Sequence, residues 1–166
     1  MNTNDMTLML LTGAGATAMT DFWAFLRTCW FGTSPPNFGM VGRWIGHLAR
    51  GRLHHDSIAA AAPIRAERAL GWITHYAIGM GFALLLPAFW GWDWIRKPSL
   101  VPALIVGVAT VLAPLFVMQP AMGAGFAASR TPRPAAARVQ SLVTHTVFGI
   151  GLYAAAVAIN SLTTGG

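Results

Sequence analysis

Four stretches of about twenty residues, residues 6–27, 69–90, 99–119 and 139–160, are almost free of charge, and this constrains the chain more than any other feature. Wound as helices at about 1.5 Å per residue, each is long enough to cross a bilayer core about 30 Å thick. None shows the strict alternation of barrel strands, and a spanning segment must pair its own backbone groups inside lipid, so helices are the expected element. Charged residues make up 10% of the 166-residue chain and apolar residues 55%, with mean hydropathy +0.54, which excludes a water-soluble globular domain. The expected fold is an all-α integral membrane protein. Four transmembrane helices form one domain over residues 1–166, as two related helical hairpins, with cytoplasmic loops 28–68 and 120–138.

The net charge of +6 and pI near 11.1 do not point to nucleic acid, because the basic residues lie in the loops, where they set topology and meet anionic lipid headgroups. Arg27, Arg43, Arg50, Arg52, Arg65 and Arg68 belong to the first loop or its edge, and Arg130, Arg133 and Arg138 to the third. Only Arg96 and Lys97 fall in the second. This asymmetry places both termini outside and the two basic loops in the cytoplasm. Trp90, Trp92 and Trp94 are expected as an interfacial anchor beside Arg96. Met1 to Asp5 lacks the basic start of a secretory signal, so the first span is expected to remain in the mature protein. Cys29 is the only cysteine, which excludes an internal disulfide.

Within the first loop, Ser34-Pro35-Pro36-Asn37-Phe38-Gly39 cannot continue a helix, but Val41, Trp44, Ile45 and Leu48 recur at helical spacing. A short helix resting on the cytoplasmic membrane surface is expected there. Glu67 and Arg68 read as a charge pair at the start of the second span.

The second and fourth spans match each other. Arg68, Thr74-His75, Gly79 and Gly81 recur as Arg138, Thr144-His145, Gly149 and Gly151 at identical offsets, which points to an internal duplication. The two histidines then lie at equal depth, beside small residues that admit close helix approach. Asp21, near the end of the first span, and Gln119, near the end of the third, fall at the same level. A polar cluster of Asp21, His75, Gln119 and His145 near the cytoplasmic face is therefore expected, with Arg68, Arg130 and Arg138 attracting anions toward it.

The residue types leave several chemistries open. The favoured one is a small-ligand or ion site with proton-linked binding, since imidazole titrates near neutral pH; transport by so few helices would call for a homo-oligomer. His75 and His145 are alternatively opposed ligands of a haem b or a metal, and His54, His55 and Asp56 form a further candidate metal set. No cofactor is specified by the sequence. An enzyme acting on a lipid would use His47 or Glu67 as base and Ser129-Arg130-Thr131 as donors, but no catalytic motif is present, and the reading leans away from an enzyme. A non-catalytic accessory subunit also fits. In that packing alternative Asp21 pairs with a nearby arginine such as Arg27, and each histidine bonds a helix carbonyl.

Several runs carry a family resemblance: Val41-Gly42-Arg43-Trp44-Ile45-Gly46-His47, Glu67-Arg68-Ala69-Leu70-Gly71-Trp72, His75-Tyr76-Ala77-Ile78-Gly79, Met118-Gln119-Pro120-Ala121-Met122-Gly123-Ala124-Gly125 and Ala128-Ser129-Arg130-Thr131-Pro132. From about Gly13 to Asn160 the chain resembles the small bacterial inner-membrane proteins catalogued as domain of unknown function 2938. The resemblance implies a bacterial inner membrane and carries over no activity and no site residue.

Overall fold

The computed structural model describes residues 3–164, which form helices and turns with no strand among them. Of the start expected to lack basic residues, Met1 and Asn2 lie outside the described residues. The helices are α1 (Thr3–Phe31), α2 (Phe38–Leu48), α3 (Glu67–Ala83), α4 (Leu85–Trp90), α5 (Leu100–Ala109), the single turn α6 (Gln119–Ala121) and α7 (Pro134–Thr164). Three helical stretches are long and apolar enough to cross a membrane: Glu67–Trp90, Leu100–Ala121 and Pro134–Leu162. They coincide with the second, third and fourth stretches expected from the sequence. Helix α1 has the length, but Asp5, Asp21, Arg27 and its threonines make it less apolar than the other three. Those threonines do not compete for solvent. Thr7, Thr12, Thr17, Thr20 and Thr28 each donate to a carbonyl three or four residues back, at 2.7 to 3.1 Å.

The chain divides into two compact units. The first comprises Met1–Pro35, Tyr76–Thr110 and Thr144–Gly166, and the second Pro36–His75 and Val111–Val143. In the first unit, α1 buries Asp5, Met9, Thr12, Gly13, Ala16, Thr17 and Thr20, a stripe at three- and four-residue spacing. Gly13 faces α3 so closely that a Cβ there would lie 2.7 Å from Met80 Cα, and a Cβ on Gly79 would collide with the Thr17 side chain. Gly151 of α7 meets Ala16 in the same way, and Gly107 of α5 meets Gly149, 2.5 Å from its Cα to a built Cβ. Close approach through small residues is how apolar helices associate where no water is displaced. Larger side chains fill the space away from these contacts. Leu86, Ile95, Phe148 and Leu152 form the core, with Phe82 edge-on to Phe148 at 6.4 Å.

One end of this unit is closed by polar contacts. Arg96, after the 3-10 turn Trp92–Ile95, donates to both oxygens of buried Asp5 at 2.8 and 2.9 Å, and Asn160 Nδ2 donates to the Ile95 carbonyl at 2.7 Å. The same turn alters the tryptophan expectation. Trp94 is buried and Trp92 packs on the core, so only Trp90 of the three remains exposed.

In the second unit, residues 111–121 do not continue α5 regularly. A π-helical turn, Pro114–Met118, precedes α6; proline lacks the N–H that the α pattern requires, and widened turns accommodate such a loss. Helix α2 forms where the sequence expects it, but the residues it buries are Gly39, Gly42 and His47 rather than its apolar stripe. A Cβ on Gly42 would collide with the Glu67 carbonyl, and one on Gly71 with the Phe38 carbonyl, so α2 lies backbone against backbone on the start of α3. Val41, Trp44, Ile45 and Leu48 are half-buried.

Candidate functional site

Two polar pairs stand among the helices of the first unit. The Tyr76 hydroxyl donates to Asp21 Oδ2 at 2.9 Å, bridging residues 55 positions apart. His145 Nδ1 lies 3.0 Å from Thr110 Oγ1, and that hydroxyl also donates to the Gly107 carbonyl at 2.7 Å. A hydroxyl has one proton, so with it on Gly107 the contact assigns the imidazole proton to Nδ1 and leaves a lone pair on Nε2. The helix contacts fix the relative depth of the pairs. Ala16 meets Gly151 on antiparallel runs; Asp21 is five residues beyond the first and His145 six before the second, about 7.5 and 9 Å along their axes. Asp21 and His145 therefore share a level of the first unit.

The second unit holds a denser network. Arg43 Nε and Nη2 grip the two Glu67 oxygens at 2.9 Å each, while Nη1 donates to the carbonyls of Ile58, Ala59 and Ala61. Glu67 also accepts from the Ile64 N–H at 3.2 Å. Its ionic partner is thus Arg43, twenty-four residues away, and not the neighbouring Arg68 expected from the sequence. His47 Nε2 faces the Ala62 carbonyl at 3.0 Å and His47 Nδ1 faces His55 Nε2 at 2.8 Å. A carbonyl only accepts, so His47 carries its proton on Nε2 and, when neutral, accepts from His55 Nε2–H. His55 Nδ1 is left as a buried lone pair with no partner among the described residues, on a side chain 1% exposed. Burial lowers the His55 pKa, with Arg52, His47 and His54 acting in the same direction. The His55 and Ile58 amides donate to the carbonyls of Ala121 and Met122, and the backbone of Asp56 lies against Gly123, which holds a positive φ of 94°.

The expected site residues fall as follows. Asp21 and His145 belong to the first unit, and His75 and Gln119 to the second. His75 stacks on Phe38 with ring centroids 4.3 Å apart and meets Trp72 edge-on at 5.9 Å. Gln119 Oε1 is buried without a hydrogen-bond partner among the described residues. Arg130 and Arg138 are exposed and both border one turn: the Arg130 amide donates to the Ala124 carbonyl and Arg138 Nε to the Ala127 carbonyl. Arg68 is exposed at the start of α3. Among the described residues no group of three or more His, Cys, Asp or Glu could hold a metal ion, and His54, His55 and Asp56 do not form one because His55 turns toward His47. His47 and Glu67, the expected bases of a lipid enzyme, are taken up by these structural bonds, and the Thr131 hydroxyl by the Ala128 carbonyl. Tyr76 and Thr110 were missed as site residues. Tyr76 adjoins His75 and Thr110 lies one turn from Gly107, but neither has a local partner in the sequence that singles it out.

An all-helical chain with three helices able to cross a membrane and polar pairs set among them defines a class, the small polytopic membrane protein. The family model described as Protein of unknown function (DUF2938) matches residues 10–159, and the chain belongs to that family. No curated protein and no solved structure matches the chain.

Proposed function

We propose that the chain is a four-crossing protein of the bacterial inner membrane that binds a small ligand or ion, linked to a proton, at the level of Asp21 and His145. The observation that carries this is a carboxylate held by the Tyr76 hydroxyl at the same depth as an imidazole held by Thr110, within helices otherwise packed through glycine and alanine. Ionisable groups inside a membrane are costly and face functional interiors. An imidazole is the side chain whose charge changes near neutral pH, and the lone pair assigned to His145 Nε2 is available to a cation or a donor. Arginines in the two basic loops would meet anionic headgroups and, with both termini on the far side, keep those loops cytoplasmic.

The test is proton movement in liposomes loaded with a pH-sensitive dye and given outward gradients of sodium, potassium or phosphate in turn. Protein-containing vesicles should show a gradient-dependent change in internal pH that Asp21→Asn abolishes and His145→Ala shifts in its pH profile. Traces equal to those of protein-free vesicles for all three gradients would remove movement of these ions from the reading. An unaltered Asp21→Asn profile would remove Asp21.

A further inference from the structure

The net charge of +6 falls entirely in the second unit, where eight arginines face two acidic residues; the first unit has three basic and three acidic residues. Of those eight, Arg43 alone is paired with a carboxylate among the described residues, that of Glu67. Two of the unpaired arginines are held on one turn. Between Gly123 and Arg130 the backbone takes a left-handed φ at Gly123, Gly125, Ala127 and Ala128, of 94°, 76°, 47° and 60°. For an alanine that conformation carries a steric cost, and strain of this kind gathers at binding sites. The turn is fastened by the Arg130 amide on the Ala124 carbonyl at 2.9 Å, the Ser129 amide on the Phe126 carbonyl at 3.0 Å and Arg138 Nε on the Ala127 carbonyl at 2.7 Å.

That last bond uses Nε and leaves both terminal nitrogens of Arg138 without a partner among the described residues, on a guanidinium whose position the turn sets. A Cβ on Gly125 would lie 2.4 Å from Ser129 Oγ and 2.9 Å from Arg130 Cγ, so the missing side chain is what lets the serine hydroxyl and the arginine stem lie against the turn. Ser129, Arg130 and Arg138 are all exposed, and the Ser129 hydroxyl has no partner among the described residues. Residues 111–143 contain no Asp or Glu, and Asp56, whose backbone meets Gly123, makes no ion pair. Two guanidinium groups and a hydroxyl, open to solvent and not neutralised from within the chain, fit a phosphate group better than a carboxylate, because phosphate brings about two negative charges and three acceptor oxygens. We propose that the turn from Gly123 to Arg130 is a binding site for a phosphate group, gripped by Arg130 and Arg138 with Ser129 Oγ as a third donor. A phospholipid headgroup and a soluble phosphorylated compound both present that group. Diffuse attraction of headgroups by basic loops weighs every exposed arginine alike, whereas this site weighs Arg130 and Arg138 above the rest. It uses neither Asp21 nor His145 and stands whether or not they bind a ligand.

The experiment has two arms, both on the full chain in phosphatidylcholine nanodiscs. In the first the discs are titrated with radiolabelled inorganic phosphate; in the second they are doped with phosphatidylglycerol, and lipid retained on release is read by native mass spectrometry. Wild-type protein should bind saturably in at least one arm. Arg130→Gln and Arg138→Gln should each weaken that binding by about tenfold, the value of a hydrogen bond to a charged group, and Ser129→Ala by about threefold. Arg50→Gln, which removes an exposed loop charge of the same unit, should bind as wild type does. Arg130→Gln leaves the Arg130 amide and the bond from Arg138 to Ala127 in place, so it keeps the test open if Arg138→Gln loosens the turn. Binding of free phosphate supports the site with a soluble compound as its source, and retention of the lipid alone supports it with a headgroup as its source. No binding in either arm overturns the site, as does binding by Arg130→Gln equal to wild type. Loss in Arg50→Gln equal to that in Arg130→Gln overturns it in favour of diffuse attraction.

Discussion

At the scale of single residues, the two glycines that follow His75 do different work although the sequence makes them look alike. Gly79 and Gly81 are two residues apart on α3, yet a Cβ at Gly79 would strike Thr17 while one at Gly81 would meet nothing within 4 Å. Gly79→Ala should therefore destabilise by about 1 to 3 kcal/mol through overpacking, and Gly81→Ala should be neutral or stabilise by up to about 1 kcal/mol by helix propensity. Thermal unfolding of the two variants in the same detergent checks this, and equal midpoints would mean that α1 and α3 are not in contact at Thr17. The motif was legible because periodic glycines and a repeated histidine need no partner to be noticed. Pairs such as Tyr76 with Asp21 or Arg43 with Glu67 were not, because nothing local in the sequence selects one partner among several at a separation of 55 or 24 residues.

At the scale of elements, the segment after α2 is a folded strap and not a passive loop. The hydrogen bond between His47 and His55 ties α2 to it, and the amides of His55 and Ile58 tie it to residues 121 and 122. The place of α2 was legible in its i, i+3, i+4 pattern, whereas its glycine contact with α3 was not, since an apolar stripe is periodic within one segment and a glycine contact depends on a partner segment. The strap depends on pH through His55. Its folded pKa is lowered, so above the unfolded value of about 6.5 the imidazole is neutral in both states and stability does not change. As pH falls below that value the unfolded chain takes up a proton that the folded strap refuses, and stability is lost down to the folded pKa. Arg52, His47 and His54 sharpen this by disfavouring a charged imidazole at His55, while its hydrogen bond to the backbone of Ala121 opposes it. Hydrogen exchange at the His55 and Ile58 amides, corrected for intrinsic rates, should accelerate between pH 7.5 and about 5.5 relative to the α2 amides. His55→Phe, which removes the titrating group, should flatten that dependence; acceleration that persists unchanged would place the pH response elsewhere.

For the whole molecule, the question is whether α1 is a crossing helix, since its composition alone does not rank it with the other three. Its contacts bear on the answer. At about 1.5 Å per residue its 29 residues reach about 43 Å, and it runs antiparallel to α3 with Gly13 against Gly79 and Met80 and Ala16 against Gly151 of α7. Asp5 at its start and Asn160 near the end of α7 both bind the short segment Ile95 and Arg96, so the two ends of the first unit's helices meet at one face. If α3–α4, α5 and α7 all cross, an odd number, the start of α1 and the end of α7 reach the same face when α1 crosses as well. The threonines that lower its hydropathy are bonded to its own carbonyls, which makes that crossing affordable in lipid. Exposed Cys29, the native cysteine, lies at the far end of α1 from Arg96 and serves as a reporter. A membrane-impermeant maleimide should label Cys29 in inverted vesicles and spare it in intact spheroplasts, because the arginine-rich loop that follows belongs in the cytoplasm. The Cys29→Ala, Lys97→Cys variant should show the reverse. Labelling of both positions from one side would mean that α3–α4, the segment between them, does not cross and, with Arg96 bound to Asp5, that both ends of α1 lie on that side, leaving Asp21 at a membrane surface, where a carboxylate needs no ligand to account for it.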